Sequence, residues 1–294
     1  MKLFAPEYYK NFKCIADKCK HSCCVGWEID VDDDAMEKYS SLSSGYGKEI
    51  IKSIDMDDTP HFRLCAGDRC PHLDEKGLCN IIKELGEGYL CHICREHPRF
   101  YNDTPYGKEV GVGMSCEEAA RLILSSDGYR NIEEIGETEG EEEEFFFDPV
   151  EERDRVYSIL SDRSVPYAER LSRISDAYGI SLSVISNETI EELEYLDERH
   201  KEMFLKFSPD FNTPEALEKY LERALAYFVY RHCSSAWDEE EFTSALGFSL
   251  FCERLVASVA PFCESIFEAA RIVSEEIEYS EDNTEAIKSI FDCI

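Results

Sequence analysis

The chain has 294 residues, 43% of them hydrophobic and 12% aromatic, which is enough apolar material for a core and, by length, enough chain for two packed units rather than one. Sixty-three acidic against 31 basic residues give a formal charge of −32, which repels phosphate backbones and anionic lipid, argues against nucleic acid as a partner, and attracts basic proteins. No run of eighteen uninterrupted apolar residues marks a membrane span, and the opening MKLFAPEYYKNF lacks a secretory signal, so a cytoplasmic protein with reduced thiols is expected.

The first half is dense in metal-ligand residue types. Ten of the fourteen cysteines and five of the seven histidines precede residue 120. Cys14, Cys19, Cys23 and Cys24 form a C-x4-C-x3-C-C cluster, and Trp27 to Val31 alternates as a short strand would. Cys65, Cys70, Cys79, Cys91, Cys94 and Cys116 follow, many beside Gly, Pro or Asp turn residues. From Glu133 to Glu144 there are eight glutamates and no basic residue, a like-charge block that reads as a solvated linker.

Beyond Pro149 the periodicity is helical. Tyr167, Leu171, Ile174 and Tyr178 recur at spacings of three and four before Gly179, a C-terminal stop. Thr213 as N-cap and Pro214 in the first turn open a helix whose Leu217, Tyr220, Leu221, Ala224, Leu225 and Phe228 share one face. The apolar stretch Phe242 to Ala260 is interrupted by Glu253 and Arg254 and stopped by Pro261, so it reads as a core helix rather than a membrane span. Cys252 and Cys263 within these patterns are small core residues. The expected architecture is mainly α: a small cysteine-rich metal-binding domain with short strands over 1–125, an acidic linker over 126–149, and an all-helical domain over 150–294.

Thiolates are soft ligands that select zinc, copper(I) or iron–sulfur, and ten reduced thiols in about a hundred residues supply one or two centres. A disulfide framework belongs to secreted domains, and no secretory signal is present here. Structural zinc uses paired C-x2-C knuckles, of which Cys91 and Cys94 are a single instance, so iron–sulfur is favoured over zinc. His21, His72, His92 and His97 are reserve ligands. GVG at Gly111 to Gly113 is too short for a dinucleotide-type phosphate loop. Counting on from Cys19 and Cys23, position 26 is glycine, so the C-x3-C-x2-C spacing of radical enzymes is not met.

Three segments in order, FKCIADKCKHSCCVGWEIDVD, RCPHLDEKGLCNIIKELGEGYLCHICREHPRF and GMSCEEAARLIL, resemble the flagellin lysine-N-methylase (FliB-type) family and its cysteine-rich region, over roughly residues 1–125. A thinner likeness runs through YLERALAYFVYRH from Tyr220 and EEIEYSEDN from Glu275. Two positions depart from the family pattern: His97 stands where an aromatic residue, usually tyrosine, is expected, and Tyr279 where histidine is expected.

The resemblance implies methyl transfer from S-adenosylmethionine to lysines of flagellin or a similar surface protein, with a basic protein segment as partner. It also implies an iron–sulfur cluster, [4Fe–4S] with zinc as the alternative, on Cys14, Cys19, Cys23, Cys24, Cys70, Cys79, Cys94 and Cys116. Cys65 and Cys91 look like additions to that pattern. Glu276, Glu278 and Asp282 in the matching C-terminal stretch are candidates to attract a lysine or stabilise a sulfonium, and the rings of Tyr220, Tyr227 and Tyr230 to contact a cation. Arg95 and Arg99 are candidates for the cofactor carboxylate or the charge of the cluster. No residue is assigned as catalytic base. The rival reading is a non-catalytic interaction module stapled by zinc or iron–sulfur.

Overall fold

A computed structural model describes residues 1–43, 45–57, 59–140, 144–210 and 212–292. Among the described residues it is mainly helical, with thirteen α-helices and six short strands: β1 (Lys2–Pro6), β2 (Ile54–Asp55), β3 (His61–Phe62), β4 (Arg99–Thr104), β5 (Gly107–Val112) and β6 (Ile132–Glu137). Two compact units are present, one from Lys13–Pro98 and the other from Met1–Phe12 together with Arg99–Ile294.

These units do not follow the boundaries expected from composition, and the reason is strand pairing. β1 lies between β5, parallel with Leu3 opposite Lys108, and β6, antiparallel with Lys2 opposite Glu137, in a sheet of order β4-β5-β1-β6. The first residues therefore find their backbone partners only after residue 106. The Glu117–Ser125 helix buries Ala119, Ala120, Ile123 and Leu124 in the same core as the later helices. The expected linker contains β6, whose exposed Glu134 and Glu133 pair with Lys2 (2.7 Å) and Lys10 (3.4 Å). Residues 141–143 of the acidic run lie outside the described residues.

A buried ion pair ties sheet to helix in this larger unit. The Arg153 guanidinium, in the Pro149–Leu160 helix, donates to both oxygens of Glu109 in β5 at 2.6 and 2.9 Å. The Tyr167–Ala177 helix ends as its periodicity predicts, with Gly179 at φ +68°, a left-handed conformation that glycine adopts without strain. The Glu215–Cys233 helix starts one residue later than predicted. Pro214 is its N-cap, and Thr213 instead accepts from Arg254 at 3.1 Å.

The Glu239–Val259 helix is capped by Asp238, which accepts from the Glu241 N–H at 2.8 Å, and is buried on almost every face from Phe242 onward. It is long and apolar enough to cross a membrane, but 83% of its most apolar window lies inside the fold. Its interrupting charges are neutralised internally, Glu253 by Arg254 and by the Tyr167 hydroxyl at 2.7 Å. Pro261 sits in the 3₁₀ turn that ends it. Cys252 is fully buried and Cys263 half-buried, with both thiols raised in pKa by burial.

In the Lys13–Pro98 unit a second core gathers Ile29, Val31, Tyr39, Ile50, Ile54, Phe62 and Ile81 with Cys70 and Cys91. The predicted strand at Trp27 to Val31 is reduced to one isolated bridge, Asp30 to His61. Val31 donates to Pro60 O (2.7 Å) and Phe62 to Ile29 O (3.0 Å), but the segment joins no ladder.

Candidate metal centre

In the Lys13–Pro98 unit the spacing Cys70-x8-Cys79 becomes a closed loop. Asp74 accepts from the Lys76 and Leu78 N–H groups (2.8 and 2.9 Å) and from the Lys83 ammonium (2.6 Å). Its carboxyl is held down to about 2 by those bonds, led by the Lys83 contact. Gly77 at φ +75° completes the turn, and Leu73 bridges back to Cys79. The loop is joined to the first cysteine cluster by the Cys70 N–H, which donates to Cys24 O at 2.8 Å.

Cys91 and Cys94 are placed by a different device. Asp32 caps the Asp33–Ser41 helix through the Ala35 N–H (3.0 Å) and also accepts the His92 N–H (2.6 Å), docking the start of the His92–Glu96 helix. Cys91 is the N-cap of that short helix and Cys94 lies one turn on, so both thiols fall on one side. The Tyr39 hydroxyl, donating to Tyr89 O at 2.7 Å, lies 3.5 Å from Cys91 Sγ.

Five thiols thus converge. Cys70 and Cys91 are buried in this core, and Cys24, Cys79 and Cys94 pack against it. Burial pushes Cys70 up to about 12 and raises Cys79. The hydrogen bond from Cys23 lowers Cys24 to about 7, with Arg69 contributing. Cys91 and Cys94 share a proton: Cys94 stays protonated and donates, which lowers Cys91. None of the thirteen described cysteines forms a disulfide. Among the described residues no three cysteine sulfurs lie within 4.8 Å of one another, whereas a zinc tetrahedron with 2.3 Å bonds sets its sulfurs about 3.8 Å apart.

Four of the eight cysteines singled out from the sequence, Cys24, Cys70, Cys79 and Cys94, are in this group. Cys14 is exposed and accepts from the Ala16 N–H at 3.4 Å, and the Cys19 thiol donates to His21 O at 2.6 Å. Cys23 hydrogen-bonds its neighbour Cys24. Cys116 lies in the other compact unit, half-buried at the N-cap of the Glu117–Ser125 helix. Cys65 is exposed, while Cys91, set aside by the family pattern, is among the most buried of the five. The signal for Cys91 was its C-x2-C spacing to Cys94.

The reserve histidines are engaged otherwise. Ser53 Oγ donates to Ile50 O (2.6 Å), so His72 Nε2 must donate to Ser53 (2.9 Å), and Nδ1 accepts from Tyr46 (3.2 Å). Burial lowers His72 to about 4, and this neutral ring has no nitrogen left for a metal. His92 Nδ1 is 3.1 Å from Arg95, whose Nε donates to Glu96 at 3.3 Å. His97 packs against Trp27 with ring centroids 6.0 Å apart.

The C-terminal candidates belong to the larger unit. Glu276 accepts the Leu196 and Asp197 N–H groups (2.7 and 3.1 Å) and bonds His200 Nδ1 (2.5 Å), and Glu275 pairs with Arg271 (2.8 Å). Glu278 lies in a π-helical turn, Ser274–Glu278, fully buried. Its oxygens receive Tyr227 (3.1 Å) and His232 Nε2 (2.7 Å), with Arg231 at 3.4 Å. Burial opposes its ionisation, but Arg231 and His232 overcome this and hold it below the usual carboxylate range. Arg231 is itself sandwiched between the rings of Phe100 and Tyr279, each centroid 5.0 Å away. Tyr220 and Tyr230 pack as core, and Asp282 is exposed. Arg99 donates to Tyr9 at 3.0 Å. In the GVG segment a side chain on Gly111 would strike the Phe100 ring, so that glycine serves packing rather than a phosphate.

Curated relatives match about two fifths of this chain. The flagellar biosynthetic protein FliU of Salmonella muenchen is 27% identical over 131 residues, 41% of this chain and 75% of that protein. Proteins named lysine-N-methylase from Salmonella choleraesuis and Salmonella typhimurium are each 29% identical over 131 residues. Those matches cover 41% of this chain and 32% of theirs, so the likeness spans about a third of the methylases' length. No family model matches the chain, and no solved structure does. The resemblance to the FliB-type family read from the cysteine motifs is carried by these relatives.

Proposed function

We propose that this chain takes part in methylation of protein lysines, flagellin being the expected class of acceptor, with S-adenosylmethionine as methyl donor and an iron–sulfur cluster held by the Lys13–Pro98 unit. The observation that carries the reading is the coincidence of two facts. Relatives named lysine-N-methylase match this chain over 131 residues, and the cysteine motifs that resemble that family fold so that Cys24, Cys70, Cys79, Cys91 and Cys94 lie in or against one core.

The donor set fits the cluster. Five soft thiols in and against one small apolar core suit iron–sulfur, and among the described residues no three of the sulfurs are close enough together for a closed zinc tetrahedron. Four of the five would hold it, with the Tyr39 hydroxyl 3.5 Å from Cys91 Sγ and its proton held by Tyr89 O. The cluster, when bound, staples together loops that carry little regular structure.

Methylation removes a proton from a lysine ammonium of pKa near 10.4, after which the nitrogen lone pair attacks the sulfonium methyl in line and the carbon–sulfur bond breaks. The −32 charge draws a basic segment to the protein. Glu276 and Glu278 are occupied by internal partners, so neither is assigned as the base. The test is incubation of anaerobically prepared, iron-replete protein with methyl-labelled S-adenosylmethionine and flagellin. Label on lysine supports the reading, and its absence from a protein with an intact cluster refutes it in favour of a non-catalytic metal-binding module.

A further inference from the structure

The acidic run of the larger unit is followed at once by Phe145, Phe146, Phe147 and Asp148, and the chain carries no Lys or Arg between Arg130 and Arg153. Phe147 turns inward, its ring 5.9 Å from buried Phe242 near the start of the Glu239–Val259 helix. With that anchor in place Phe145, two residues earlier, lies flat against Trp237, the ring centroids 4.7 Å apart and the planes within 5° of parallel. Phe146 is left 91% exposed and Trp237 48%. A single exposed ring is ordinary, but here an exposed phenylalanine adjoins an exposed aromatic stack, and apolar area left in water favours a cover.

Uncompensated carboxylates flank both halves of the stack. Glu144 directly precedes Phe145, and Asp238, Glu239, Glu240 and Glu241 directly follow Trp237, all five exposed. Asp238 is spent on capping the helix, and Glu241 accepts the Trp237 backbone N–H at 2.9 Å, which holds that carboxylate beside the aromatic residue. None of the five pairs with a basic side chain among the described residues, and no Lys or Arg lies between Arg231 and Arg254. The face of an indole ring is itself electronegative and is the best aromatic partner for a cation. Ring face and carboxylates therefore favour the same occupant, a positive charge carried on an apolar body.

We propose that Phe145, Phe146 and Trp237 form the docking surface for a basic protein segment, one cationic side chain of which lies on the open face of Trp237 while its apolar neighbours cover Phe146. Nucleic acid and anionic lipid would meet the carboxylates and be repelled. A polyamine would satisfy the carboxylates but leave the phenylalanine ring in water. A segment in which lysines or arginines alternate with apolar residues answers both the charge and the exposed rings. The surface gives a place to the basic partner of the reading above, and only that partner's identity as a methyl acceptor rests on that reading.

Fluorescence anisotropy of a short labelled peptide of lysine interspersed with leucine and alanine, titrated with the full chain and competed with spermine, tests this. The variants are Phe146→Ala, Trp237→Ala and the pair Glu239→Lys with Glu240→Lys. The pair Glu191→Lys with Glu192→Lys, at exposed positions elsewhere in the same unit, makes the same change in net charge. Circular dichroism confirms that each folds, and Phe146, being almost wholly exposed, supports no core whose loss could mislead. Affinity should fall about threefold or more in each aromatic variant and about tenfold in the Glu239 and Glu240 pair, and stay within about twofold in the Glu191 and Glu192 pair. An equal loss in the two pairs would show only the charge of the whole chain at work and overturn the surface. Unchanged binding in both aromatic variants, spermine competing as tightly as unlabelled peptide, or no peptide binding at all would overturn it too. The assay uses no methyl donor, so the two readings fail separately: peptide binding with these losses but no label on lysine keeps the surface and sinks methyl transfer. Label on lysine with peptide binding that the variants leave unchanged does the reverse.

Discussion

Glu109→Ala should be among the most damaging single changes outside the cysteines. Glu109 is 4% exposed and Arg153 2%, and the guanidinium makes two bonds to the carboxylate and a third, 2.6 Å, to Ser234. Removing the carboxylate leaves a buried cation with only a hydroxyl and the faces of Tyr230 and Tyr157, 5.2 and 6.0 Å away. Breaking a buried pair by deleting one partner costs roughly 3–5 kcal/mol, because the survivor keeps its desolvation penalty. Replacing both, as Glu109→Leu with Arg153→Met, removes the penalty with the pair and should fall within about 1–2 kcal/mol of the native chain. Urea unfolding followed by tyrosine and tryptophan fluorescence measures all three. A single variant that costs under about 1 kcal/mol, or a double variant as unstable as the single, would refute the reasoning.

Three further outcomes are expected. Burial lowers the folded pKa of His232 from 6.5 to about 4, so the unfolded chain takes up a proton first as pH falls; its stability contribution is complete above 6.5 and should drop by about 2 kcal/mol between pH 7 and pH 5. Urea titrations of the native chain and His232→Gln at both pH values should show a smaller drop in the variant, and equal drops would contradict the burial argument. A fragment of residues 150–294 should fail to fold, because it keeps Arg153 without Glu109 and the core helices without the Glu117–Ser125 helix; a cooperative thermal transition in that fragment would show that the sheet is dispensable. Cys91→Ser should lose bound metal while Cys14→Ser and Cys65→Ser keep it, as elemental analysis will show, and equal retention in all three would remove Cys91 from the centre.

Much of the helical half was legible because its signals are local. The three-and-four spacing before Gly179 and Pro261 after the apolar stretch from Phe242 specify helix ends without reference to the rest of the chain. The start of the Glu215–Cys233 helix was misplaced by one residue because proline suits either side of that boundary, and the pull of Arg254 on Thr213 is a tertiary effect. The division into units was not legible, since β1 pairs with strands more than a hundred residues away and the Glu-rich, exposed β6 carries no two-residue apolar alternation. Cysteine density marked the stretch in which the centre is proposed, but density does not say which sulfurs face one another. That depended on Asp32 reaching His92 and Asp74 closing its loop, two capping interactions whose partners no spacing rule names.

The central claim is that four of the thiols of Cys24, Cys70, Cys79, Cys91 and Cys94, Cys91 among them, hold one inorganic centre. The most direct measurement is iron, zinc, acid-labile sulfide and visible absorption on anaerobically purified protein, with the variant in which all five are serine beside it. The account predicts a brown native protein with about four iron and four sulfide per chain and a colourless variant. A colourless native protein carrying no iron, or a variant as brown as the native chain, would contradict it.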